Sequence, residues 1–273
     1  MSDSAKHAET IDTWNAHSKT YDKEQRAFED AVTHYVDWEL LTRYLPADKN
    51  ARILDAAGGT GRITVPLAKL GYPVVLCDIS PGMLSVARRK LRRERLLDRV
   101  ELLQCDACSL PFPDESFDLA LCWFPISDAP REVIRVTKCG GRISVFLVSR
   151  PRRAIDLFVH GDPQAALAML KPPGGRVQED VEKTRGAFSV AEAIVWFEAQ
   201  GVRVLGVYGT YGLRDTVRLS PRVWKSKRWD AESFDNTAEL MLRLAQEPSV
   251  TGLSSVFLLF GEKTGAPVCM SGM

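Results

Sequence analysis

Residues 53–64 read Ile53-Leu54-Asp55-Ala56-Ala57-Gly58-Gly59-Thr60-Gly61-Arg62-Ile63-Thr64, and this stretch decides the fold. An apolar strand carried by Arg52, Ile53 and Leu54 ends in Asp55, meets a loop with Gly58, Gly59 and Gly61, and enters a helical pattern that closes at Gly71. The pattern is a strand-to-helix nucleotide turn. Side-chain carbons would hold a ligand off the backbone, and tight turns often need positive φ, so glycines gather there. The N–H groups that open the next helix favour a carboxylate or another anionic group.

Two cofactor classes use such a turn, and the spacing separates them. The dinucleotide fingerprint is G-x-G-x-x-G, and counting from Gly59 places Thr64 where its last glycine belongs. Counted from Asp55, the loop resembles the Asp-x-Gly-x-Gly-x-Gly turn of class I S-adenosylmethionine-dependent methyltransferases, with Ala57 in place of the first glycine. Its Ala-Gly-Gly-Thr-Gly form is similar to that of the quinone C-methyltransferases.

Outward from the turn, Pro73 to Cys77 forms a short apolar strand ending at Asp78. An acidic side chain at that position, about 20 residues beyond the loop, accepts hydrogen bonds from both hydroxyls of a ribose. Ser80-Pro81 then opens a helix as N-cap and first-turn proline. A third strand runs from Val100 to Gln104, followed by Asp106 and Ala107. The phrase Leu110-Pro111-Phe112-Pro113-Asp114-Glu115-Ser116-Phe117-Asp118 closely resembles the family's link to its fourth strand, here 118–123. Near-continuous apolar strands mark a sheet covered on both faces. Arg142 to Ser149 reads as a fifth strand, preceded by Cys139-Gly140-Gly141 where the family commonly has Pro-Gly-Gly.

The flanking segments fill out the expected organisation. Residues 1–46 read as two helical segments forming a lid, and Tyr21-Asp22 looks like the pair that the family lays over its cofactor; as packing alone, Tyr21 is one more core aromatic. Proline and glycine breakers set off an insertion at 150–187, and a second insertion spans 212–250. Between them Ser189-Val-Ala-Glu192 is a capping box, with strands expected at 202–208 and, antiparallel, 254–263. The methyltransferase domain would then span 47–263, with 264–273 as a loose tail. The resemblance thus implies an α/β fold, a Rossmann-like seven-stranded sheet with helices on both faces. It also implies cofactor contacts from Tyr21, Asp55, Ala57, Gly58, Gly59, Gly61, Asp78, Ile79, Met83, Asp106, Ala107 and Cys122. Asp106 would accept the adenine amino group and the Ala107 N–H would reach a ring nitrogen.

A formal net charge of +1 over 273 residues gives no general pull toward nucleic acid or anionic membrane. The polar first residues and the lack of an apolar run of about 20 residues place the protein in the cytoplasm by default. Cys105 and Cys108 form a lone C-x-x-C with no second pair, so no metal site is expected. The basic run 88–95 reads either as a solvated helix face or as a surface for RNA, and 222–229, where basic residues alternate with tryptophans, either caps a pocket with its aromatics or binds phosphates and stacks bases.

The function these features imply is methyl transfer from S-adenosylmethionine to an O, N, S or C nucleophile of a small molecule held under the insertions. A wobble-uridine carboxylate on tRNA is the alternative, through a weak similarity over Gly206–Asp215. A non-catalytic nucleotide-binding protein is a third reading. No residue declares itself a general base: His34, His160 and Tyr211 are all without a partner legible in sequence.

Overall fold

The computed structural model describes residues 3–24, 28–170, 186–212, 215 and 231–265. In chain order its helices are α1 (Asp3–His17), α2 (Tyr21–Glu24), α3 (Phe28–Thr42), α4 (Thr64–Lys69), α5 (Pro81–Arg93), α6 (Ala129–Val136), α7 (Arg150–Val159), α8 (Pro163–Leu170), α9 (Val190–Ala199), α10 (Ala231–Ala245) and α11 (Pro248–Thr251). The strands are β1 (Ile53–Ala56), β2 (Val74–Asp78), β3 (Val100–Gln104), β4 (Phe117–Cys122), β5 (Thr137–Ser149), β6 (Ala187–Phe188), β7 (Val202–Tyr208) and β8 (Val256–Lys263).

The chain divides into two compact units, and β5 contributes its first part to one and its second part to the other. The first unit holds residues 1–26, 45–124 and 128–144. Its strands lie in the order β3-β2-β1-β4-β5, so both neighbours of β1 are reached by crossovers. The pairs β1·β2, β1·β4 and β2·β3 are parallel, with Ile53 opposite Val74 and Leu119. All residues of β1 and β2 are buried, as expected where helices cover both faces of a parallel sheet. The fold is therefore the α/β, Rossmann-like arrangement that the resemblance implies.

Three local features hold the first unit's loops. Ser80 caps α5, its hydroxyl accepting from the Met83 N–H at 3.1 Å, with Pro81 at the first helical position. The Arg135 guanidinium gathers the Leu110–Asp114 phrase by donating to Leu110 O at 2.9 Å and to Phe112 O at 2.8 Å. Its partner Glu132 is held below the ordinary carboxylate range by that guanidinium. Third, Asp118 accepts from the Arg52 N–H at 2.8 Å and pairs with Lys138 at 2.8 Å, fixing the starts of β1 and β4.

The second unit, with residues 27–44, 125–127 and 145–273, carries β5-β8-β7, and β6 pairs with β5 in parallel. The β7·β8 pair is antiparallel, as expected, with a register shift between Val204 and Gly206. A Cβ at Gly206 would come within 2.7 Å of the Tyr44 hydroxyl, itself 2.6 Å from that of Tyr208. In this unit α3 meets α10 through Phe28 and Tyr35, each edge-on to Phe234 with centroids 5.8 Å apart.

Three differences from the sequence expectations have physical causes. The segment 1–46 forms three helices, and α3 belongs to the second unit. Strand β5 begins at Thr137, five residues before Arg142, because the glycine pair Gly140-Gly141 sits within the strand. At Gly141 a Cβ would meet the Asp118 carbonyl at 3.0 Å, so the absence of a side chain lets the backbones approach. Strand β6 straddles the end of the span read as insertion and goes unread in the sequence, since two residues are too few to show a period. The run 222–229 lies outside the described residues.

The capping box at Ser189 forms in full, its hydroxyl accepting from Glu192 N–H at 3.3 Å while the Glu192 carboxylate accepts from Ser189 N–H at 2.8 Å. Replacing Ser189 with Ala should lower stability by about 1 kcal/mol, read as a shifted urea midpoint at constant slope. An unshifted midpoint would mean that α9 does not depend on its cap.

Candidate functional site

In the first unit the carboxyl ends of β1, β2 and β3 bring Asp55, Asp78 and Asp106 to one edge of the sheet, around the glycine turn. Asp55 is 2% exposed and accepts from the Thr64 hydroxyl at 2.6 Å. Burial pushes its carboxyl up to about 6, against the lowering effect of the Thr64 hydrogen bond. Gly58 must lack a side chain, because a Cβ would stand 2.8 Å from the Asp55 carboxyl carbon.

The turn itself is left-handed at three positions: Ala57 (φ 55°), Gly59 (φ 57°) and Gly61 (φ 78°). Ala57, the residue that replaces the resemblance's first glycine, therefore pays the penalty a glycine would avoid. The turn closes with Gly61 N–H to Gly58 O at 3.0 Å and Gly58 N–H to Cys77 O at 3.1 Å.

Asp78 binds this turn to β2. One oxygen accepts from Gly59 N–H and the other from Ser80 N–H, each at 2.9 Å. Burial raises its carboxyl, and the two N–H donors pull it back. Each oxygen retains a lone pair for a further donor. Ile79 follows, its carbonyl accepting from the Gln104 side chain at 3.2 Å. Asp106 accepts from Cys108 N–H at 2.8 Å, and Ala107 is buried. Met83 lies inward on α5 with Ala87 and Leu91.

The cysteines pair differently from their spacing. The Cys105 sulfur beside Cys77, together with burial, raises the Cys77 thiol, while Cys105 is lowered by the hydrogen bond it receives. Cys108 is pushed up to about 12 by burial, as is Cys122, whose thiol donates to Phe124 O at 3.4 Å. Cys139 is exposed on β5. Cys269 lies outside the described residues. Among the described residues no group of His, Cys, Asp and Glu is arranged to hold a metal ion.

Sequence reasoning missed Asn15 and Lys90, which join the already noted Asp22 in holding the N-terminal segment to the turn. Asn15 accepts from the Ser80 hydroxyl at 2.8 Å and from Gly82 N–H at 2.9 Å, where a Cβ on Gly82 would collide with it. Asp22 accepts from the Thr60 hydroxyl at 2.7 Å and pairs with Lys90 at 2.7 Å. Lys90 also donates to the Thr60 hydroxyl at 3.0 Å. A lone Asn or Lys carries no such signal in sequence. Within the basic run, Arg88, Arg89, Arg92, Arg93 and Arg95 are exposed, and only Lys90 turns inward to the glycine turn. Tyr21 stands edge-on to Trp14 and His17 rather than deep in the core.

Comparison with known proteins gives this arrangement its class. Residues 53–141 match a family described as "Methyltransferase domain". Residues 53–141 thus match a methyltransferase domain, and the class I members of that kind use S-adenosylmethionine as their cofactor.

Among individual relatives, it is 41% identical over 158 residues to a ubiquinone/menaquinone biosynthesis C-methyltransferase of Pseudomonas fluorescens, covering 54% of this chain and 61% of that one. It is 42% identical over 134 residues to a demethylmenaquinone methyltransferase of Clavibacter sepedonicus, covering 45% and 54%. It is also 39% identical over 112 residues to a C-methyltransferase of the first kind from Pectobacterium carotovorum, covering 38% and 45%. The chain thus spans about half the length of the curated relatives it matches.

Solved structures share the fold at lower identity. A geranyl diphosphate methyltransferase in complex with S-adenosylmethionine superimposes with a TM-score of 0.53 at 14% identity, covering 85% of each chain. A chain from the complex of the Haloferax volcanii Trm112 methyltransferase activator and a methyltransferase gives 0.58 at 18% identity, covering 92% of this chain and 97% of that one.

Because folding raises the Asp55 carboxyl from 3.8 to about 6, the folded state holds that proton more tightly than the unfolded chain does. The resulting stabilisation, on the order of 3 kcal/mol, is complete below the unfolded value and lost as pH rises through the folded one. Stability measured by urea between about pH 4 and pH 6 should fall less steeply with rising pH in Asp55→Asn than in the unsubstituted protein. Parallel profiles would show that Asp55 titrates normally.

Proposed function

We propose that this chain transfers the methyl group of S-adenosylmethionine to a nucleophilic atom of a small molecule. The observation that carries the reading is the bond pair from Gly59 N–H and Ser80 N–H to Asp78, each at 2.9 Å. It fixes a half-used carboxylate at the end of β2, beside a backbone bend in which Gly58 has no room for a side chain and Gly59 and Gly61 are left-handed. In this reading Asp78 takes the ribose hydroxyls with its remaining lone pairs, and Ile79 flanks the ribose. Asp106 accepts the adenine amino group, with Ala107 supplying a backbone donor and Met83 an apolar neighbour.

The Ala57–Gly61 backbone faces the methionine portion, and the Asp55 carboxylate, fixed by Thr64, orders that bend from below. Cys122 ends β4 beside it, and Tyr21 closes the site with α2. S-adenosylmethionine supplies a methyl already activated by a sulfonium, so the chain's task is to hold the acceptor in line at about 3 Å and to exclude water.

A small-molecule acceptor fits the relatives best, since those matched are named for quinone methylation. The tRNA reading draws on Gly206–Asp215, of which Gly206–Tyr208 is ordinary strand β7, and on a basic run whose arginines face solvent. Binding of tRNA that weakens steeply with salt would restore it. The dinucleotide reading loses its footing at Thr64, whose hydroxyl occupies Asp55 where that fingerprint needs a bare backbone. We place the activity in the cytoplasm, as composition leads one to expect; among the described residues no helix is long and apolar enough to cross a membrane.

Asp78→Ala should weaken S-adenosylmethionine binding by about 1–3 kcal/mol, measured by calorimetry, since buried polar partners are left unmet. Unchanged affinity would put the ribose elsewhere. Extracts of cells with and without the gene, fed isotopically labelled methionine, should differ by a labelled small molecule. Cofactor binding with no such product would favour the non-catalytic reading.

A further inference from the structure

Lys90 departs from its neighbours in the basic run. Arg88, Arg89, Arg92, Arg93 and Arg95 stay in solvent, while the Lys90 ammonium turns inward and meets three oxygens. These are Asp22 Oδ1 and Oδ2, each at 2.7 Å, and Thr60 Oγ1 at 3.0 Å. An ammonium has three donors, so the match is complete. The Thr60 hydroxyl donates in turn to Asp22 Oδ1 at 2.7 Å, and Thr60 is 1% exposed. The junction therefore joins three elements of the first unit: α2, the glycine turn and α5.

Apolar burial does little to hold the N-terminal segment. Of residues 8–23 only Ser18 is buried, and even Trp14, edge-on to Phe124 with centroids 5.1 Å apart, stays half-buried. The fixed points of the segment are polar, with Asn15 at the start of α5 and Asp22 in the junction. Polar bonds exchange for water at small net cost, whereas buried apolar surface does not. Such a segment belongs to the parts of a fold that open first. The turn beneath it keeps its shape through bonds of its own, so opening uncovers the turn without unfolding the sheet.

We propose that Lys90 is a positioning residue, which keeps the N-terminal segment on the glycine turn through Asp22 and so sets the rate at which the cofactor enters and leaves. This rests on the methyltransferase reading, in which the turn faces the methionine portion. The side chains of Lys90 and Asp22 are 23% and 36% exposed, so dissolved salt screens their attraction. Cofactor exchange therefore quickens as ionic strength rises. S-adenosylhomocysteine carries no net charge near neutral pH, so its own contacts add little to that dependence.

The test follows release of S-adenosylhomocysteine from the full chain by stopped flow, at about 50 mM and about 500 mM sodium chloride. Lys90→Met should speed release by about 3- to 10-fold at low salt, and Asp22→Asn by a similar factor. The double variant should be no faster than the faster single one, because both remove the same tie. Salt should speed release from the unsubstituted protein and leave Lys90→Met unmoved, a signature that a general loss of stability would not produce. Arg92→Met, a solvent-facing neighbour on α5, should behave as the unsubstituted protein does. Unchanged release from Lys90→Met, salt dependence that survives in it, additive effects of the two substitutions, or an equal effect of Arg92→Met would overturn the role of Lys90. Failure of S-adenosylhomocysteine to bind the unsubstituted protein would instead overturn the methyltransferase reading, and this proposal with it.

Discussion

The hydrogen bond from Thr64 to the buried carboxylate of Asp55, 2.6 Å long, is the constraint on which the first unit's architecture turns. A carboxyl group with 2% exposure is costly unless its polar atoms are engaged, and Thr64 engages one oxygen from the first residue of α4. The bond spans the whole glycine turn and so fixes the distance between the end of β1 and the start of the helix. Everything inside that span must fit. Gly58 is bare because Asp55 fills the space its side chain would need, and Gly61 packs against Leu76 and Ala87, with a Cβ 3.4 Å from the first of these. The same carboxylate that threatens stability thus dictates the shape of the bend.

A second set of bonds ties the N-terminal segment to that bend at two points. Asn15 covers the start of α5, and Asp22 reaches Thr60 with Lys90 bridging both. The salt bridge is partly screened, since Lys90 and Asp22 are 23% and 36% exposed in their side chains, so its energetic weight is modest. Its geometric weight is larger. Two tethers on one segment fix an orientation as well as a distance, and this orientation brings the rings of Trp14 and Tyr21 to the edge of the sheet.

The first unit was legible in sequence to a degree the second was not, and the cause lies in the type of signal. Asp55, Gly58, Gly59, Gly61 and Asp78 sit at positions where backbone conformation or burial forces residue identity, so each can be read singly. Ser189 and Glu192 announce a helix start for the same reason. Arg135 shows nothing comparable: it clasps carbonyls of Leu110 and Phe112, more than 20 positions away, through contacts that only the fold creates. Asn15 and Lys90 are similar cases. In the second unit β6 is too short to carry a period, and α3 is separated in sequence from its partner α10 by about two thirds of the chain. The Cys105 contact is hidden in the same manner, because its partner Cys77 lies across adjacent strands rather than along the chain.

Ala57 shows what the bend requires of its ligand. A left-handed alanine costs on the order of 1–2 kcal/mol and persists only where surrounding bonds leave the backbone no alternative. Here those bonds are internal: Gly58 N–H to Cys77 O, Gly59 N–H to Asp78 and Gly61 N–H to Gly58 O all come from the protein itself. The bend is consequently formed before any ligand arrives, and the ordering cost that a looser glycine loop would charge against binding has already been met during folding. Substituting alanine for the first glycine trades folding stability for that rigidity. On the methyl-transfer reading proposed above, the trade suits a site whose chemistry, an in-line displacement at an activated carbon, would depend more on fixed positions than on acid or base groups.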